Sequence, residues 1–376
     1  MTTQLLYYQL NPLVLNQAAP VAPTLTAQFD SAPTSVKLHL DALGSDVVLV
    51  PDASGKRFTA VIPIAALLTG LGPADVNRKF IGHLLVTTGA EVGQYNVFGD
   101  VRTAGVPPVA VHGVAADVQF SDHLINIAWP SLADRFSDVS PHLADMDQKL
   151  YSHFDDDYDF IHVVFGRSYP ANRFGFATRN DVHGIGLSIF NSDATYGSAG
   201  RLTGIVAFPI PTMYDGISPL TFHEIGHRWM VSLNFPPLAQ GIPHWPVSDL
   251  AEDIMGYSLL VNGQPEGADF DFTLQPAGGG SYQLVPNSAP KTFSDLAQYL
   301  MGMRPANQVS THFVFNNQQQ PISANAILAG PTTNVGVNDV SAHYGEGRIV
   351  FCGDTNLWEA VPQPLIKNTL HWFASP

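Results

Sequence analysis

Leu220-Thr221-Phe222-His223-Glu224-Ile225-Gly226-His227-Arg228-Trp229 carries HExxH, the one spacing in this chain that a chemical job dictates. On a helix, residues four apart share a face, so His223 and His227 can offer two imidazole nitrogens to one Zn²⁺ with Glu224 beside them. With 14 histidines in the chain, chance produces this pattern in roughly one shuffled sequence per hundred. The flanks agree with a helix. Ser218-Pro219 reads as an N-cap followed by a proline at the first helical position, and Phe222, Ile225, Trp229 and Met230 make an apolar stripe at helical spacing. Asn234 and Pro236-Pro237 end the run. Burying two histidines and a glutamate on one helical face is costly without a cation, so a zinc site is expected here rather than a set of satisfied core side chains.

A catalytic zinc takes three protein ligands and keeps one open position for water. Cys352 is the chain's single cysteine, which excludes an intramolecular disulfide and a cysteine cluster and leaves His, Asp and Glu as ligand types. His244, held between prolines in Gly241-Ile242-Pro243-His244-Trp245-Pro246, is the expected third ligand. Glu252 and Asp249 in Ser248–Gly256 are its rivals, with orientation of the histidines as their alternative role. Glu224 is the expected general base, taking a proton from water and passing it to the leaving amine. Tyr257 is the first candidate for a donor to the oxyanion, with Tyr299 and His183 as alternatives.

At 376 residues, 45% hydrophobic and 13% charged, the chain can bury a sizeable core and hold two domains. Its polarity comes from Thr, Ser, Asn and Gln, a composition suited to a β-rich extracellular protein, so a secreted or periplasmic location is expected. Met1–Tyr7 shows neither a basic n-region nor a long apolar core. The net charge of −15, with 17 Lys and Arg, argues against nucleic acid and anionic membranes as partners. No apolar run is long enough for a membrane span. A protein or peptide substrate is the expected partner.

Residues 1–110 carry short alternating runs, Ser35–Leu40, Asp46–Val50 and Phe58–Ile62, separated by turn signals at intervals of about ten residues. An all-β immunoglobulin-like sandwich is expected there. Residues 111–376 form the expected second domain, with a helix over Leu143–Phe154, a strand at Phe160–Phe165, a Gly-rich stretch from Gly184 to Gly200, and a strand at Leu202–Phe208. That last strand is either the sheet edge that pairs with an extended substrate or an ordinary core strand. The carboxyl end reads as a strand at Gly347–Asp354 that packs Cys352, followed by an amphipathic helix over Leu365–Phe373. Asp155-Asp156-Asp157-Tyr158-Asp159 admits structural Ca²⁺, yet it fails the EF-hand register at Phe160 and Gly166 and reads first as a solvated turn. No GxSxG elbow is present, and Gly184-Ile185-Gly186 lacks the rest of a dinucleotide fingerprint.

With GIG, YGSAGRL, HEIGHRW, HWP, DIMGY and FSDLAQYLMGM on the page, the segment Gly184–Gly302 resembles a group of bacterial zincin-fold metallopeptidases. The resemblance implies a zincin-like catalytic domain, an α+β fold overall, and a methionine-containing turn at Asp253–Tyr257 like that of metzincins. Met230 and Leu233 stand where the extended metzincin pattern has its glycine and third histidine, and Gly256 stands where the glutamate-ligand pattern has Asp. The expected activity is zinc metalloendopeptidase. The residues also admit a zinc hydrolase of a non-peptide amide or ester, or a binding or adhesion protein with a non-catalytic zinc site. An intact Glu224 weighs against the last of these.

Overall fold

In the computed structural model, the structure describes residues 3–18, 20–41, 43–63, 68, 76–102, 112–121, 124–129, 132–171, 173–183, 185–209, 220–230, 232–233, 238–241, 243–261, 264–269, 272–287, 289, 291–315, 327–328, 331–335 and 348–353. The first region contains β1 (Leu5–Asn11), β2 (Val14–Asn16), β3 (Thr24–Phe29), β4 (Ser35–Leu40), β5 (Ser45–Val48), β6 (Val50–Pro51), β7 (Arg57–Val61), β8 (Val76–Thr88) and β9 (Glu91–Arg102). These make two sheets, in the orders β1-β3-β7-β6 and β2-β9-β8-β4-β5. Alternation explains the pairing. Along β4, Val36, Leu38 and Leu40 are fully buried while Lys37 is exposed, so each strand gives one apolar face to the core and one to water.

The middle of the chain adds β10 (His112–Ala115), β11 (Val118–Ser121), β12 (Leu124–Ala128), α1 (Ser140–Tyr151), β13 (Phe160–Phe165), β14 (Phe174–Ala177), β15 (Arg179–Asn180), β16 (Phe190–Asn191), α2 (Asp193–Tyr196), β17 (Gly204–Pro209) and α3 (Leu220–Met230). Beyond these lie β18 (Tyr257–Val261), β19 (Gln264–Asp269), β20 (Phe272–Gly278), β21 (Ser281–Pro286), α4 (Asp295–Leu300), β22 (His312–Phe315), β23 (Ile327–Leu328), β24 (Pro331–Val335) and β25 (Arg348–Gly353). The fold is therefore largely β, with four α-helices among the described residues. None of those helices is long and apolar enough to cross a membrane.

A seven-stranded sheet, ordered β10-β11-β12-β25-β13-β17-β14, carries the HExxH helix. β12, β25, β13 and β17 run parallel, and β14 is antiparallel to β17. β13 and β17 are near-continuous apolar runs because helices cover both faces. Leu143, Met146 and Leu150 of α1 join Ile161, Val163, Ile205 and Ala207 in one core. Ile225 and Trp229 of α3 join Val164, Val206 and Phe208 in the other. The first region meets this sheet through paired backbone hydrogen bonds between Tyr8 and Ser168 and through the Arg167 guanidinium, 4.3 Å from the Tyr7 ring centre.

Of the two readings of the strand before the HExxH helix, the interior one holds: β17 is flanked by β13 and β14, and among the described residues β14 is the edge. The carboxyl-terminal strand is a member of the main sheet, between β12 and β13. The helix expected at Leu143–Phe154 begins earlier, because Ser140-Pro141 supplies a proline at its first turn. Gly184, Ser218-Pro219, Asn234, Pro236-Pro237 and the helix expected over Leu365–Phe373 lie outside the described residues, as does the packing of the Cys352 side chain.

Candidate metal centre

Helix α3 forms as its stripe predicts. Ile225, Trp229 and Met230 are buried on the sheet side, with the Trp229 ring 5.9 Å from that of Phe160. Arg228 ties the helix to the strands behind it, donating to the Arg179 carbonyl at 2.6 Å and pairing with Asp181. His223 and His227 project from the remaining face, with ring centres 4.7 Å apart.

His244 completes the group. Its ring lies 5.1 Å from that of His223 and 5.0 Å from that of His227, and one ligand nitrogen from each of the three falls within 4.8 Å of the others. Glu252 and Asp249 are engaged elsewhere. Glu252 accepts from Thr273 Oγ1 at 2.6 Å, and Asp249 accepts from the Phe313 N–H at 2.8 Å and faces His312.

The turn at Asp253–Tyr257 organises this cluster from below. His223 Nδ1 donates to the Ile254 carbonyl at 2.8 Å, which fixes its tautomer and leaves Nε2 as the bare nitrogen. Met255 packs under Gly226, where an added Cβ would meet Met255 Sδ at 2.6 Å and Met230 Cε at 2.8 Å, so a side chain there would oblige both methionines to shift. Asp253 holds the turn and the His244 loop together. Its carboxylate accepts from the Met255 N–H at 2.7 Å and from Trp245 Nε1 and the Ser294 N–H at 3.2 Å each. Burial pushes the Asp253 carboxyl up to about 6 against these donors. Tyr257 is buried at the start of β18 and bridges Trp245 through the backbone; Tyr299 is buried in α4, and His183 is exposed.

Glu224 is 6% exposed, and burial raises its carboxyl to about 7 against the nearby Arg173 charge. Arg173 Nε stands 2.9 Å from Glu224 Oε1, and Glu224 Oε2 stands 4.0 Å from His227 Nε2. β14 lies directly on the helix, since a Cβ on Gly175 would come within 2.7 Å of the Glu224 carbonyl oxygen. Burial also drives the imidazoles toward the neutral form: His223 falls to about 3, His244 to about 4 and His227 well below the ordinary value, with mutual repulsion and the Arg173 charge adding to it.

These residues fit a divalent metal. Nε2 of His223 and Nε2 of His244 are 3.2 Å apart, close to the roughly 3.3 Å separating two nitrogens on a tetrahedral zinc with bonds of about 2.05 Å. His227 Nδ1 is buried with no hydrogen-bond partner among the described residues. Neutral imidazoles are the form that ligates.

Arg173 escaped the sequence reading because it lies far upstream of the motif, and only Gly175 between two phenylalanines hints at a close approach. The acidic run is used locally. Asp156 accepts from Ser198 Oγ at 2.7 Å and the Arg201 N–H at 3.1 Å, which ties the YGSAG loop to the start of β13. In comparisons with known proteins, no family model, no curated protein and no solved structure matches this chain.

Proposed function

We propose that this chain is a zinc-dependent metallopeptidase, with His223, His227 and His244 as the metal ligands and Glu224 as the general base. The convergence of three neutral imidazoles, His223 buried and His227 and His244 half-buried, beside the buried Glu224 carboxyl carries the reading. Bound Zn²⁺ would supply a Lewis acid that polarises a carbonyl and makes water acidic near neutral pH.

The chain's own residues perform the rest. Glu224, with its affinity for a proton set near neutrality, accepts one from water and returns it to the leaving amine. Arg173 holds the Glu224 carboxylate on one side and puts a fixed positive charge where an oxyanion would develop. Tyr257 is the second donor in this reading. Strand β14, the edge of this sheet among the described residues and pressed against the helix at Gly175, offers a backbone edge to an extended peptide, which favours a peptide over a compact amide or ester.

In the same reading, residues 111–376 are a zincin-like catalytic domain, and residues 1–110 an immunoglobulin-like sandwich built from the two sheets of β1–β9. The protein acts outside the cytoplasm. Cleavage of a peptide mixture by zinc-loaded wild type and Glu224→Gln tests the mechanism. The variant should keep its zinc while cleavage falls by about a hundred- to ten-thousandfold. Undiminished cleavage by the variant would end the assignment.

A further inference from the structure

The stretch between His244 and the turn that aims His223 is braced by β22. Phe315 donates its N–H to the Val247 carbonyl at 2.9 Å, Ser248 forms an isolated antiparallel bridge with Val314, and Asp249 donates its N–H to the Phe313 carbonyl at 3.3 Å. Val247 and Ser248 follow the His244-Trp245-Pro246 loop, and Asp249 leads through the 3₁₀ turn Leu250–Glu252 into Asp253 and Ile254. The Ile254 carbonyl is what holds His223. Asp253 fastens the far end of the stretch to the start of α4 by accepting from the Ser294 N–H at 3.2 Å, and Ile254 donates its N–H to the Thr292 carbonyl at 3.2 Å.

His312, the first residue of β22, closes these contacts into a ring. Its Nδ1 lies 3.2 Å from Asp249 Oδ2, and its Nε2 lies 2.5 Å from Oδ1 of Asp295, the first residue of α4. A carboxylate can only accept, so an imidazole between two of them carries a proton on each nitrogen. Moving one of those protons onto a carboxylate is disfavoured, because each is already held by a backbone donor. Asp249 accepts from the Phe313 N–H at 2.8 Å, and Asp295 accepts from the Ser310 N–H at 2.7 Å. Val335 of β24 stands opposite His312, and Arg304, the one basic residue between α4 and β22, is turned to the Gln298 side chain and the Gln308 carbonyl. Burial alone would lower the His312 pKa; Asp249 and then Asp295 outweigh it and leave it raised. The cationic bridge is therefore complete in acid and is lost as pH climbs through the raised value.

We propose that His312 is a positioning residue for the metal centre, a cationic clamp whose release at alkaline pH loosens the stretch between His244 and Ile254 and weakens zinc at the triad. In the zinc-site reading of His223, His227 and His244, on which this rests, the clamp acts through Asp249 and Asp295. They hold the two ends of a segment that follows one ligand and carries the carbonyl orienting another.

The test is competition for Zn²⁺ with a chelator across pH, in the full chain and in His312→Gln. The ratio of the two affinities cancels the chelator's own titration and that of the groups the two proteins share. Wild type should bind about two- to thirtyfold more tightly than His312→Gln in mildly acidic solution, and the ratio should fall toward one as pH rises. Asp295→Asn removes one carboxylate and leaves the ring, so its affinity should fall at lower pH than that of wild type, a comparison that does not depend on the glutamine variant. A ratio that stays the same at every pH, or identical profiles for wild type and Asp295→Asn, would overturn the clamp while leaving the triad standing. Absence of zinc binding by wild type at any pH would overturn the triad and the clamp together.

Discussion

Two groups of histidines, the triad beside Glu224 and the cross-strand pair His39 and His83, sit in opposite surroundings. Around Glu224 the rings are buried or half-buried, neutral by desolvation, and aimed by a backbone carbonyl, a packed methionine and a three-donor carboxylate. Beside Asp41 they stand on an open sheet face, aimed by other surface side chains. The first cluster is shaped before any ion arrives, because the interior has already fixed its rotamers. The second is held only by its surface partners, and ordering exposed side chains costs rotamer freedom. The difference teaches that the surrounding shell decides whether a histidine is held ready as a ligand.

The largest test of this contrast removes a ligand from the triad. His244→Ala should lower zinc affinity at the triad by more than the roughly ten- to hundredfold typical of an outer-shell change, as competition with a chelator would read. A smaller effect is expected from Asp253→Asn. The amide keeps one acceptor but turns a donor either toward the Met255 N–H or toward both Trp245 Nε1 and the Ser294 N–H, so triad affinity should drop by about ten- to a hundredfold. The unpaired donor should cost about 1–3 kcal/mol in denaturant unfolding. Equal affinity in that variant would show that the shell around the triad does less than its geometry suggests.

Gly226→Ala tests the packing below the helix. Its Cβ would push the flexible ends of Met255 and Met230 aside, a cost that offsets the roughly 1 kcal/mol by which alanine favours a helix over glycine, so unfolding free energy should change by less than about 1 kcal/mol.

A third histidine setting sharpens the comparison further. Burial lowers the pKa of His312, but Asp249 at 3.2 Å and Asp295 at 2.5 Å outweigh burial and leave it raised. A raised folded value means that the stabilisation is complete below the unfolded value of about 6.5 and is lost as pH climbs through the folded one. His312→Gln should therefore cost on the order of 1.5–3 kcal/mol in acid and less in alkali, a convergence that urea melts across pH would reveal.

Much of this was legible in the sequence where the signal is local. The run Ser35–Leu40 is a strand over those same residues, Phe160–Phe165 likewise, and the stripe from Phe222 to Met230 makes the helix its spacing requires. His244 was legible because few residue types can complete a zinc site and prolines flank it. What stayed hidden depends on contacts between distant segments. Nothing beside Phe174 marks it as an edge strand, and nothing beside Arg173 or His39 announces that a partner folds opposite. Asp253 lay inside a motif noticed for its methionine and tyrosine, yet its carboxylate is what joins the two loops.

The place of β25 has a consequence for how the protein is made. Residues 348–353 fill the slot between β12 and β13, parallel to both. A ribosome delivers them long after the strands on either side have emerged, so those strands wait with open edges while more than half of the chain is still to come. Such sequence-distant pairing is slow and leaves unpaired backbone exposed to other chains. Any copy that stops short of Arg348 leaves the ribosome with its main sheet split in two.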